Sequence, residues 1–235
     1  GGGGGGGGAA AVTDPAATAL ASIKAAAENN TATSGNLAAS VFTAAGITGV
    51  DANNLAAIQS ALDSAAVNGA AADTKAEVQA IVDAYKAIKD NADTAATTNA
   101  TQAQYAAVGV TGIDNAAKTN LLGDVVDTKA FADVDTVPEL QTLATAAAAV
   151  ITGAAAGTQP TKAQLEALGI TGVTDANLSA IQAAIAATPD DGTGVDTLSE
   201  LQAVANTGAT NAANAAAALS TIAAAAQANN ATDAN

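Results

Sequence analysis

The chain has 235 residues, a net charge of −15, and no Cys, His, Met, Trp or Arg. Without His and Cys the usual zinc, copper, haem and iron–sulfur ligand sets cannot be assembled, and Ser-His-Asp and Cys-His nucleophile systems are out of reach. Seven Lys scattered among 22 acids form no basic stripe, so no nucleic-acid partner is expected and anionic membrane surfaces repel the chain.

Carboxylate-only or Lys-dependent chemistry stays formally open. Glu77 and Asp83, with Tyr85 nearby, show no catalytic convergence, so no enzyme is expected. Only Phe42, Phe131, Tyr85 and Tyr105 are aromatic, and Ala, Thr, Asn, Asp and Gly fill most of the rest. A sulfur-free chain of this kind is associated with bacterial surface layers and large secreted repeat proteins. An extracellular or cell-surface location follows as an expectation, and the high negative charge keeps such a chain soluble.

In chain order, residues 1–12 form a Gly/Ala-rich segment. Gly1 to Gly8 lack the Lys and preceding strand of a phosphate-binding loop, so a linker is the default. A sharper possibility is a strand without side chains lying in a groove of an adjacent subunit. Residues 13–33 read as an Ala-rich helix, with Leu20, Ile23 and Ala27 before Asn29-Asn30. The run Ala212 to Ala226 is nearly all Ala but contains Asn214, Ser220 and Thr221. It reads as a packing helix, with no membrane insertion expected.

Between these ends one pattern occurs three times. Gly46-Ile-Thr-Gly49 recurs as Gly109-Val-Thr-Gly112 and Gly169-Ile-Thr-Gly172, at spacings of 63 and 60 residues. Each copy is followed 26 or 27 residues later by Asp-Thr, at Asp73-Thr74, Asp135-Thr136 and Asp196-Thr197. An acid, an aliphatic and Gln come next: Glu77-Val78-Gln79, Glu139-Leu140-Gln141 and Glu200-Leu201-Gln202. The glycines stand where a short helix stops in a left-handed conformation. Leu55, Ile58 and Leu62, repeated as Leu178, Ile181 and Ile185, give a second helix by their spacing, and Leu121, Leu122, Val125 and Val126 give a less regular counterpart. Thr74, Thr136 and Thr197, each three residues before Glu, predict capping boxes for a third helix.

The predicted fold is all-α: tandem three-helix-bundle repeats with a period of about 60 residues and Ala-rich terminal helices. Repeat 1 spans 34–98, repeat 2 spans 99–158 and repeat 3 spans 159–207, and a C-terminal Ala-rich helix and tail follow at 208–235. In repeat 3 the apolar face of Leu201, Val204 and Ala205 drifts to Gly208 and Asn211, which predicts a frayed, kinked or repacked stretch.

The order Ala45-Gly46-Ile47-Thr48, then Leu55 to Leu62, then Thr74 to Ile88 resembles the GA module of bacterial cell-wall proteins. The resemblance covers roughly residues 38–90, 101–152 and 161–206. It implies small three-helix bundles and, because some members bind serum albumin, an albumin-type protein ligand. GA domains are usually Lys-rich, whereas this chain is acidic. The Gly-Ile-Thr-Gly and Thr-x-x-Glu-Leu-Gln elements are also similar to repeats of large secreted adhesins and biofilm-matrix proteins, which implies a structural role.

Asp190-Asp-Gly-Thr-Gly-Val-Asp196 places Asp190, Asp191 and Asp196 as candidate calcium ligands on a Gly-permissive loop; an interhelical turn with an N-cap is the simpler account. No other cofactor is expected.

Ala-filled bundles near 50 residues bury little apolar area and are marginal alone, so stacking on neighbours is expected. Leu219, Ile222 and Ala226 before Asn229-Asn230 echo Leu20, Ile23 and Ala27. Such ends suit a segment of a longer array, or a subunit that joins copies of itself end to end as a homopolymer. Leu20, Ile23, Leu219 and Ile222 are the candidate assembly residues. The functional expectation is a self-assembling part of a bacterial extracellular filament, surface layer or biofilm adhesin. A GA-like module binding a host or matrix protein is the alternative.

Overall fold

The structure, a computed structural model, describes residues 13–93 and 98–233, and the side chains up to 229. The segment Gly1–Gly8 therefore lies outside the described residues. Among the described residues there are ten α-helices, two 3-10 turns and no strand. They fall into two compact units, one ending at Asp83 and the other starting at Ala84. This division cuts a helix and does not coincide with the 98/99 boundary drawn from the sequence repeat.

The first unit opens with α1, Pro15–Asn29. Asp14 caps it by accepting from Ala16 N at 3.0 Å, and Asn30 ends it in the left-handed region at φ 51°. Then come α2 (Ala39–Ala44), α3 (Leu55–Leu62), a 3-10 turn at Gly69–Ala71, and the first part of α4 (Lys75–Asp93). α1 packs on α2 and on the 3-10 turn. The core is built from a few large side chains set among alanines: Ile23, Phe42, Ile58, Leu62 and Val78 are all at 0% exposure. Asp63 ties the loop after α1 to the end of α3, accepting from Ala32 N at 2.6 Å and Thr33 N at 2.9 Å.

The second unit holds the rest of α4, then α5 (Gln102–Ala107), α6 (Ala116–Asp127), a 3-10 turn at Phe131–Asp133, α7 (Val137–Ala154), α8 (Lys162–Ala167), α9 (Leu178–Ala186) and α10 (Leu198–Asp233). α7 packs on α6 and also on α8 and α9, so one long helix serves the elements on both sides of it in sequence. Leu121, Leu122, Val125 and Val126 are all buried, and α6 is longer than α3 and α9. Tyr85 meets Phe131 edge-on with ring centroids 6.2 Å apart, and its hydroxyl donates to Val134 O at 3.3 Å. Lys89 Nζ lies 4.9 Å from the centroid of the Phe131 ring.

The repeated tetrapeptide forms the same turn each time. Gly46, Gly109 and Gly169 have φ of 76°, 95° and 91°, a conformation that costs glycine little. The next residue folds back: Ile47 N donates to Phe42 O, Val110 N to Tyr105 O and Ile170 N to Leu165 O, at 2.9 to 3.0 Å. That closes the helix end and buries the aliphatic side chain. Thr101 and Thr161 cap α5 and α8 with full capping boxes, as Thr136 does for α7. Thr74 pairs reciprocally with Glu77, and Thr197 with Glu200. The bonds from Thr74 hold the Glu77 carboxyl below its usual range.

The Gln of each sequence copy, on α4, α7 and α10, closes back on the turn. Thr48 N, Thr111 N and Thr171 N donate to Gln79, Gln141 and Gln202 Oε1 at 3.0, 2.9 and 2.9 Å. Each Gln Nε2 donates in return to the same Thr carbonyl, at 3.0, 3.1 and 3.2 Å. A primary amide matches a peptide group in both directions, so Gln serves as a two-point clamp between turn and helix. Replacing Gln141 with Ala should cost about 1 kcal/mol of stability in urea unfolding, because the clamp is exposed to water. Replacing it with Glu should cost at least as much at neutral pH, since a carboxylate cannot donate to Thr111 O. A Glu variant as stable as the parent would remove the clamp's role.

α10 runs unbroken from Leu198 to Asp233, through the 207/208 boundary, so of the three expectations for the stretch after Ala205, fraying is not seen. The packing changes at Gly208. A Cβ there would sit 2.5 Å from Ile181 Cα and 2.7 Å from Ile181 N, so α9 crosses α10 too closely for any side chain. Leu201, Ala205 and Gly208 form one buried stripe of shrinking residues, and its apparent drift is a close helix crossing.

Candidate assembly surface

α10 changes character along its length. Its first part packs on α9 and reaches α6, where Asp124 accepts from Leu198 N at 3.1 Å and Asp196 accepts from Asn120 Nδ2 at 3.1 Å. From Ala213 to Asn229 every residue is exposed. Leu219 and Ile222, one helical turn apart, are 67% and 64% exposed and are the two large aliphatics found on the surface among the described residues. No ionisable side chain occurs between Glu200 and Asp233. In a chain of net charge −15, this half-helix adds no local charge of its own, so Coulomb repulsion of a like-charged partner is reduced there.

The structure separates the four candidate assembly residues. Ile23 is at 0% exposure in the core of the first unit and Leu20 is half-buried, whereas Leu219 and Ile222 stand in solvent. In the single chain Ile23 is covered where α1 lies on α2 and the 3-10 turn at Gly69–Ala71. Beside it, Thr13, Pro15, Ser22, Ser40, Val41 and Ala44 are among the residues lining a shallow cleft of about 500 Å³ between α1 and α2.

Asp190, Asp191 and Asp196 are not drawn together. Asp191 Oδ1 accepts from Thr193 N at 3.0 Å and from its hydroxyl at 2.7 Å, and the backbone bond does most to hold this carboxyl below its usual range. Asp196 turns to Asn120. Asp190 and Asp191 share a cleft of about 260 Å³ with Lys118, whose ammonium is held 2.8 Å from Asp114 and opposes a cation there. Among the described residues, no three acidic side chains are grouped closely enough to hold a metal ion. Glu77 is used in its capping box, and Asp83 accepts from Gln79 Nε2 at 2.9 Å.

Sequence reasoning named Gln79, Gln141 and Gln202 as repeated positions but missed their partners, the Thr backbone groups some 30 residues earlier. The recurrence of both elements in the same order links them as a pattern and does not show that they touch. No helix among the described residues is long and apolar enough to cross a membrane. No family model, curated protein or solved structure matches the chain.

Proposed function

We propose that this chain is a structural, self-assembling subunit or segment of a bacterial extracellular filament, surface layer or biofilm adhesin. On this reading it consists of tandem three-helix units with a period near 60 residues, overlapping through their long third helices. The observation that carries the reading is the exposed, uncharged half of α10 bearing Leu219 and Ile222. Covering both side chains would contribute about 3–6 kcal/mol. Fixing two bodies together costs a comparable amount, so contacts through this face are weak singly and depend on concentration or on many copies.

Negative-stain microscopy of concentrated protein tests the reading: elongated particles are expected, and Leu219→Asp with Ile222→Asp should abolish them. Both positions are exposed, so the double variant should keep the helicity of the parent. Uniform single particles from the unaltered chain would overturn the proposal. The alternative, a GA-like module binding a host or matrix protein, is favoured by the shared order of short helix, Gly-Ile-Thr turn and second helix. Retention on immobilised albumin would support its family-specific form.

A further inference from the structure

We infer that the exposed half of α10 is built to take the place of α1 in a second copy of this chain, an inference that rests on the assembly reading above. Residues 218–227, Ala-Leu-Ser-Thr-Ile-Ala-Ala-Ala-Ala-Gln, align without a gap on residues 19–28, Ala-Leu-Ala-Ser-Ile-Lys-Ala-Ala-Ala-Glu. The side chains that α1 buries are Ala19, Ile23, Ala26 and Ala27. Their counterparts Ala218, Ile222, Ala225 and Ala226 are the same residue types, and all four are exposed. The polar edge corresponds too. Glu28 Oε2 accepts from Gly69 N at 2.9 Å, and Gln227 retains an acceptor oxygen at that position. Ser22 Oγ bonds Thr18 O and Thr221 Oγ1 bonds Ala217 O, at 3.1 and 3.0 Å, so the two helices share a local detail of shape. The main departure is Lys24, which pairs with Asp73 at 3.5 Å and is replaced by Ala223; an exposed pair of this kind contributes little.

The occupant is a second copy because the seat for this face exists in the chain itself, on α2 and the 3-10 turn at Gly69–Ala71. The arrangement also continues an interface already present, since α7 packs on the α8 and α9 that follow it. In the single chain α1 covers the seat, so docking is an exchange. The exchange is favoured by order: the α10 half is already helical as part of a 36-residue helix, whereas α1 has 15 residues, a length that is marginal as an isolated helix. Once displaced, α1 regains chain entropy. Against this works the high effective concentration of the tethered α1, so exchange requires concentrated protein.

Disulfide trapping in the full chain tests the inference, since the chain has no Cys of its own. Ser22 and Ser40 line the same cleft, and Thr221 is the counterpart of Ser22. One preparation carries Ser40→Cys and another Thr221→Cys; they are mixed at high concentration and oxidised. A mixed disulfide dimer is expected, and adding Ile222→Asp to the Thr221→Cys chain should cut its yield by about tenfold or more. Dimers formed mainly between two Thr221→Cys chains, or assembly without the mixed cross-link, would overturn this inference and leave the assembly reading standing. Absence of any assembly at high concentration would overturn both.

Discussion

Replacing Gly208 with valine is expected to destabilise the second unit by about 3 kcal/mol, with an overpacked helix crossing as the cause. The added Cβ would meet Ile181 Cα at 2.5 Å, Ile181 N at 2.7 Å and Ala180 O at 2.8 Å. All three are backbone atoms, so relief requires α9 and α10 to separate rather than a side chain to rotate. Alanine supplies the sharper comparison. In an exposed helix interior, Gly→Ala adds about 1 kcal/mol of stability through helix propensity. At position 208 the clash reverses the sign, and Gly208→Ala should lower the urea midpoint. A Gly208→Ala variant more stable than the parent would show that the two helices do not cross this closely.

Raising the pH above 10 should unfold the second unit, with its two tyrosines as the cause. Tyr85 and Tyr105 are the only tyrosines in the chain. Burial pushes both phenols above their ordinary value of 10.0, and the charges of Asp135 and Glu139 add to the effect at Tyr85. Below pH 10 both states hold the phenolic proton and the full stability is present. Above it the unfolded chain releases protons that the folded chain retains, so stability falls as pH rises. The slope is about 1.4 kcal/mol per pH unit for each tyrosine, or about 3 kcal/mol per unit for the pair. Losses of that order approach the whole stability of a marginal domain. Tyrosinate absorbance should therefore rise in one step together with the loss of helical circular dichroism. Tyrosinate forming at its ordinary pH with helicity intact would contradict the buried environments.

The parts of this fold legible in the sequence are those encoded by residue type at short spacing. Gly46, Gly109 and Gly169 mark helix ends because few other residues adopt that backbone readily, and Thr-x-x-Glu or Thr-x-x-Gln marks helix starts because the cap bonds are local. The clamps of Gln79, Gln141 and Gln202 were not legible as contacts, because pairing across 30 residues is decided by tertiary packing. The unbroken course of α10 was hidden by its small residues: at Gly208 a missing side chain signifies close packing, and in sequence it looks like a weakening helix. The assembly candidates were legible as a pattern but not by role. Ile23 and Ile222 sit in nearly identical local sequences, yet one is fully buried and the other is 64% exposed, because α1 lies on α2 and the 3-10 turn while the second half of α10 stands in solvent.

That contrast makes sedimentation velocity over a concentration series the most direct measurement for the assembly claim. The unaltered chain should sediment progressively faster as concentration rises, with and without added calcium, and the Leu219→Asp, Ile222→Asp variant should remain monomeric throughout. A parent chain that stays monomeric at the highest concentration, indistinguishable from the variant, would contradict the account.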